Sequence, residues 1–165
     1  MERKRGFEVV KGYKGVRLPE RSTKNSAGYD FFAVEDTKIP SIWKAVVQEL
    51  IFKEGSDSLF KPTLVPTGVK AYMQDDEALF LYNRSSNPLK RFLLLGNGVG
   101  VIDSDYYNNP DNDGHIMFQF INFGFKDITI KKGDKIGQGV FKKFLKADND
   151  KAGGERTGGF GSTGK

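Results

Sequence analysis

The stretches best equipped for chemistry are short, polar and rich in glycine. At 156–164 the chain reads R-T-G-G-F-G-S-T-G. Glycines there let the backbone come close to a ligand, and successive amides can form an anion-binding concavity. Arg156 offers a planar fork for phosphate, Ser162 and Thr163 offer hydroxyl donors, and Phe160 offers a face on which a base can stack. At 82–90 the chain reads Y-N-R-S-S-N-P-L-K, so Arg84, Ser85 and Ser86 stand at the end of an apolar run. At 95–106, L-G-N-G-V-G-V-I-D-S-D-Y leads through Gly-rich turns to Asp103, Asp105 and Tyr106. A tight hairpin is expected here, exposing backbone donors and acceptors to a planar ligand edge, with Asn97 able to do both. The apolar run before Asp103 predicts a partly buried carboxylate, a kind of group common at catalytic sites.

Two absences narrow the chemistry further. There is no Cys, which removes disulfides, thiolate nucleophiles, Cys-ligated zinc and iron–sulfur clusters. His115 is the only imidazole, so a two-His metal site within one chain is excluded. What remains is carboxylate, hydroxyl, Arg, Lys and backbone amide, with an oxygen-ligated metal such as Mg2+ compatible with that set. The net charge of +5 lies within the first 24 residues, where eight basic side chains face three acidic ones, and the remainder is balanced. That end is expected to be a solvated terminus rather than a nucleic-acid arm.

These groups must be positioned by something, and the pattern around them is all-β. Aromatic and β-branched residues recur in short runs at 7–10, 29–34, 63–65, 69–73, 78–82, 92–95, 99–102, 116–123, 127–130 and 136–144, separated by Gly, Pro, Asn and Asp. Short strands at close spacing predict a barrel or sandwich. Residues 41–52 break the pattern, with apolar side chains at helical spacing. They predict a short helix that packs Ile42, Trp43, Val46 and Leu50 onto the sheet. Residues 146–165 hold too few aliphatic side chains to order themselves. No apolar run reaches the roughly 18 residues of a membrane span, and a cytoplasmic protein without membrane partners is expected.

Five segments in order, S-A-G-Y-D-F at 26–31, N-R-S-S at 83–86, G-N-G-V-G-V-I-D-S-D-Y at 96–106, K-I-G-Q-G-V-F at 135–141 and R-T-G-G-F-G-S-T-G at 156–164, resemble the motifs of the trimeric dUTPases. L-V-P-T-G at 64–68 matches as well. The resemblance implies a jelly-roll-like β-barrel over 1–145, and an arm over 146–165 that closes on a neighbour's site in a homotrimer. It implies Mg2+-dependent hydrolysis of dUTP to dUMP and pyrophosphate, with Asp103 holding the attacking water. Tyr106 would pack under the deoxyribose. Asn97 and the backbone of Val101 and Ile102 would read uracil, and Met117 would lie beside the nucleoside. Arg84, Ser85, Ser86 and Gln138 would bind the phosphates, with Ser85 near the scissile bond. Phe160 would stack on uracil, and Arg156, Gly161, Ser162 and Thr163 would complete the clamp. Asp30 resembles the carboxylate that meets Mg2+ through water, the ion riding on the triphosphate.

Two departures stand out from that pattern: an insertion around 34–62, and a longer polar loop at 107–115 that carries His115. Both resemble insertions of staphylococcal phage dUTPases, which also bind a pathogenicity-island repressor. The resemblance therefore raises a second role as a repressor's partner in a bacterial host. A dCTP deaminase relative, and a non-enzymatic β-domain that binds nucleic acid, are the alternatives. The intact arm and the I-D-S-D-Y stretch favour dUTPase.

Overall fold

The structure, a computed structural model, describes residues 3–52 and 61–154. Among the described residues eleven strands and one α-helix run in the order β1 Gly6–Val9, β2 Tyr29–Phe32, β3 Thr37–Ile39, α1 Ile42–Phe52, β4 Thr63–Pro66, β5 Val69–Tyr72, β6 Glu77–Asn83, β7 Leu93–Leu95, β8 Gly100–Asp103, β9 Met117–Asn122, β10 Ile128–Ile130 and β11 Lys135–Lys143. Every pairing between these strands is antiparallel. A four-stranded sheet in the order β2-β11-β6-β8 and a three-stranded sheet in the order β4-β9-β7 are joined by the pairs β1-β5 and β10-β3.

Alternation explains how the two larger sheets share a core. In β9, Phe118, Phe120 and Asn122 are buried while Met117, Gln119 and Ile121 are half-exposed. The Phe118 ring lies 5.5 Å from Phe31 of β2, which links the inner faces of the two sheets as in a β-sandwich. The G-Q-G of β11 fits the same core. A Cβ on Gly137 would come within 2.0 Å of the Phe118 ring, and one on Gly139 within 2.6 Å of Phe31. The two glycines thus make room for the rings, and Gln138 between them is left exposed.

All ten anticipated strands are present, shifted by a residue or two at their ends. The additional strand β3 lies inside the insertion and pairs with β10. The hairpin expected within 95–106 is corrected: β7 pairs with β9 and β8 with β6, so the Gly-rich turn carries the chain from one sheet to the other. Its bonds are local, with Gly98 N–H donating to Leu95 O at 2.9 Å and Val99 N–H to Asn97 O at 2.7 Å. Gly98 sits at φ 67°, in the left-handed region where a side chain would be strained.

The helix is where it was expected, but its packing is not. Ala45 is the residue buried at its contact with the body, Ile42 and Val46 are half-buried, and Trp43 and Leu50 are exposed. The smallest side chain allows the closest approach, so the larger ones are pushed to the flanks. Ser41 caps the helix by accepting from Trp43 N–H at 3.2 Å, and Asp127 fastens the start by accepting from Ser41 N–H at 3.1 Å and Lys44 Nζ at 2.6 Å. The Trp43 indole stacks on Phe125 at 5.5 Å and donates to Phe123 O at 3.0 Å.

The basic N-terminal end is part of the fold. Arg5 Nε donates to both oxygens of the buried Glu77 carboxylate at 3.0 and 2.9 Å. Arg3 pairs with Glu8 and lies over Tyr72, while Arg17 pairs with Glu20 and lies over Phe32. Four arginines counting Arg21, which donates to Lys24 O and Ser26 O, are thus engaged within the chain.

Candidate active site

The motif residues within the described part of the chain gather at two places on the four-stranded sheet. The first is the end of β6. Asn83, its last residue, accepts from Arg84 N–H at 2.9 Å and from Asn87 Nδ2 at 2.7 Å, and donates to Leu93 O at 3.0 Å. The buried Asn87 also donates to Ile136 O at 2.8 Å. This pair of asparagines, not singled out in the sequence, frames the turn that presents Arg84, Ser85 and Ser86. Its signal was present as N-x-x-x-N around R-S-S.

Strand register brings the rest of this group together. Gln138 lies opposite both Asp30 on β2 and Tyr82 on β6. A Cβ on Gly28 would come within 2.8 Å of Gln138 Oε1, so Gly28 lies directly against the Gln138 side chain. Arg84 Nη1 donates to Lys135 O at 3.2 Å, and its Nε lies 4.0 Å from Asp30 Oδ1. Asp30 is buried and accepts from Lys135 Nζ and Ser22 Oγ, both at 2.6 Å. Burial opposes its charged form, but the Lys135 and Ser22 hydrogen bonds and the charges of Lys135 and Arg84 outweigh it, so the carboxyl is held below its ordinary value. Lys135 and Ser22 were not anticipated as partners of Asp30; Lys135 opens the K-I-G-Q-G-V-F stretch.

Among the described residues no group of three His, Cys, Asp or Glu could hold a metal. Asp30 alone, already bonded to an ammonium and a hydroxyl, fits an ion that arrives on a polyphosphate and keeps its waters. It does not make a protein cage.

The second place is the end of β8. Asp103 is half-buried, as expected, and is followed by one 3-10 turn, Ser104–Tyr106. Its side chain makes no capping hydrogen bond to that turn. Ile102 is half-buried, Val101 is 53% exposed, and β8 is the last strand of its sheet, so among the described residues one edge of its backbone has no strand partner. Asn97 is exposed in the turn that enters β8, and Met117 begins β9 half-buried. Tyr106 is buried, and its Oη donates to His115 O at 2.9 Å.

Register then fixes how far apart the two places are. Asp103 lies opposite Ala78, near the start of β6, and Arg84 follows the last residue of that strand. Six residues of extended chain separate Ala78 from Arg84, which amounts to about 20 Å. One copy therefore cannot bring Asp103 and Arg84 to the same phosphorus atom. Arg156, Phe160, Gly161, Ser162 and Thr163 lie outside the described residues.

His115 is buried and accepts from Gly68 N–H at its Nε2, 2.8 Å away. Burial holds the imidazole below its ordinary value, so the folded protein keeps it neutral. An unfolded His takes up its proton near pH 6.5 while the folded one resists, so the folded state loses stability as pH falls through and below that value. Urea midpoints between roughly pH 7.5 and 5.5 should fall more in the parent protein than in His115→Gln, whose side chain does not titrate.

The chain is similar to known proteins of one family. The profile of the dUTPase family matches residues 51–164. The deoxyuridine 5'-triphosphate nucleotidohydrolase of Lactococcus lactis is 51% identical over 164 residues, covering 97% of each chain. The crystal structure of dUTPase from Streptococcus mutans is similar with a TM-score of 0.73 and 43% identity, covering 87% of this chain and 99% of that one. The dUTPase from phage phi11 of S. aureus has a TM-score of 0.67 over 91% of this chain and 96% of its own, at 17% identity. The expected likeness to staphylococcal phage members is thus a likeness of fold. Among the described residues no helix is long and apolar enough to cross a membrane.

Proposed function

The chain belongs to the dUTPase family and is a dUTP diphosphatase, and from that premise we propose that its active sites are shared between copies in a homotrimer. The observation that carries this reading is the spacing of about 20 Å between Asp103 and Arg84 along β6. A site built from the Asp103 end of one copy and the Arg84 end of another closes that gap, and three such sites close a ring.

Within such a site, water held at the Asp103 carboxylate attacks the α-phosphorus, and its proton passes to that carboxylate. The bond from the α-phosphorus to the bridging oxygen breaks, and pyrophosphate leaves with the electron pair. Arg84, with Ser85, Ser86 and Gln138, orients the phosphate chain and neutralises charge on the oxygens. Mg2+ carried on the triphosphate would supply further charge neutralisation, with Asp30 meeting it through water. Asn97 and the β8 backbone at Val101 and Ile102 read the uracil edge, Met117 flanks the nucleoside, and Tyr106 lies under the sugar. The arm, with Arg156, Phe160, Gly161, Ser162 and Thr163, closes over the substrate. The setting suited to this reaction is a bacterial cytoplasm.

Pyrophosphate release from dUTP, dTTP, dCTP and UTP, with and without Mg2+, tests the reading. Turnover is expected for dUTP with Mg2+, and deletion from Gly154 onward should lower it by orders of magnitude. Ammonia release from dCTP would instead indicate a deaminase, and a fully active truncation would contradict the role of the arm.

The second role, as partner of a pathogenicity-island repressor, is proposed for the surface of the insertion. There Val47, Leu50 and Ile51 are exposed beside the stacked Trp43 and Phe125, an apolar face suited to covering by a protein. Stoichiometric binding of such a repressor, lost on trimming the insertion and kept in Asp103→Asn, is the expected result. Absence of any complex would remove this role and leave the enzyme untouched.

A further inference from the structure

The polar loop at 107–115 is tied to Tyr106 at both the backbone and the phenol. Tyr106 O accepts from Asn109 N–H at 3.3 Å and from Asn109 Nδ2 at 2.9 Å. Tyr106 Oη donates to His115 O at 2.9 Å and accepts from Asn112 Nδ2 at 2.8 Å. The Asn112 amide has one orientation open to it. Its Oδ1 accepts from Gly114 N–H at 3.1 Å and from Asn109 Nδ2 at 2.8 Å, so only its NH2 group can meet the phenol.

The loop is in turn anchored to the body. The buried Lys70 ammonium pairs with Asp113 at 2.9 Å and donates to Asn108 Oδ1 at 2.5 Å. Lys11 N–H donates to Asp113 Oδ2 at 2.9 Å, and Gly68 N–H to His115 Nε2 at 2.8 Å. Asn108, Asp113 and Gly114 all have positive φ, at 58°, 60° and 82°, which suits the residue types found there. A Cβ on Gly114 would come within 2.8 Å of Tyr106 O, so the loop can lie this close to Tyr106 only with glycine at that position.

We infer that Asn112 is a positioning residue for sugar selection: with His115 O it holds the Tyr106 phenol, so the ring under the deoxyribose cannot yield to a 2'-hydroxyl. The inference rests on the reading of Tyr106 as the floor of the sugar subsite. Its physical basis is that an apolar pocket rejects a ligand bearing one extra hydroxyl only weakly, so strong rejection needs a wall that does not give way. The two hydrogen bonds on the phenol, both to a loop anchored on Lys70, Lys11 and Gly68, make that wall rigid.

The test is a double-mutant cycle on the ratio of kcat/KM for dUTP to that for UTP, with thermal midpoints recorded alongside. Tyr106→Phe keeps the ring and removes both phenol bonds, and Asn112→Ala removes one of them. Each is expected to lower the ratio about five- to ten-fold, the size of a lost neutral hydrogen bond, through better use of UTP. In the Tyr106→Phe background, Asn112→Ala should lower the thermal midpoint but leave the ratio where it is, because Asn112 acts on selection through the phenol. An unchanged ratio in Asn112→Ala, or an equal further fall in the double variant, overturns the inference. If Asn112→Ala does not fold, Tyr106→Phe decides alone, and an unchanged ratio there overturns it. A parent enzyme that uses UTP as readily as dUTP removes the reading of Tyr106 as the sugar floor, and the inference falls with it.

Discussion

Replacement of Asp103 by Asn is expected to lower turnover of dUTP by about 10²- to 10⁴-fold, with KM changed only a few-fold. The side chain keeps its shape, so the end of β8 and the 3-10 turn to Tyr106 are undisturbed. On the proposed mechanism, what is lost is the group that takes the proton as water attacks, and that loss is felt in the transition state rather than in binding. Asp103 is half-buried at the end of a strand paired through Ala78, so the backbone that carries it is fixed before substrate arrives. Single-turnover pyrophosphate release, with nucleotide binding measured separately, checks the split. A variant with full turnover would remove Asp103 from the chemistry, and one that no longer binds dUTP would point to a role in holding substrate instead.

The contrast between β8 and the loop that follows it shows what a one-dimensional pattern can carry. Gly100–Asp103 was legible because an apolar stretch ending in a carboxylate is a local signal. The residues opposite it were not. Leu93–Leu95 would suit a hairpin with β8 as well as it suits its actual place beside β9, and turn residues report that the chain bends without saying which neighbour it meets. The helix shows the same limit in another form. Large apolar side chains set the period that revealed it, but Ala45 makes the buried contact, because close approach favours the smallest residue on the face.

Around the proposed site, the sequence names residue types but not their partnerships. Arg84, Gln138 and Asp30 stand in separate motifs, and only the pairing of β11 with both β2 and β6 brings them together. The Asp30–Lys135 ion pair joins residues 105 positions apart, which no spacing rule reaches. The sequence places His115 outside the matched motifs. The structure gives it a buried acceptor role towards Gly68 and makes its carbonyl a partner of Tyr106. The polar composition of 107–115 marks a loop but not its bonding, in which the asparagines close hydrogen bonds on one another and on Tyr106.

The division of the site between the two ends of β6 leads to the second large effect. Asp103→Asn and Arg84→Ala should each be nearly inactive alone, yet a mixture refolded or co-expressed together should regain activity. In the proposed trimer each site takes Arg84 from one copy and Asp103 from a neighbour, so a site is intact when an Asp103→Asn copy supplies the arginine and an Arg84→Ala copy supplies the carboxylate. Random assembly of equal amounts makes about one quarter of the sites intact, and the mixture should show about that fraction of the parent's turnover. Simple mixing of preformed trimers should restore nothing until the copies exchange. If Asp103 and Arg84 instead served one site within a single copy, every site in the mixture would lack one of them, and no ratio or refolding step would recover activity. The about 20 Å between Ala78 and Arg84 along one strand is what makes the first outcome the expected one.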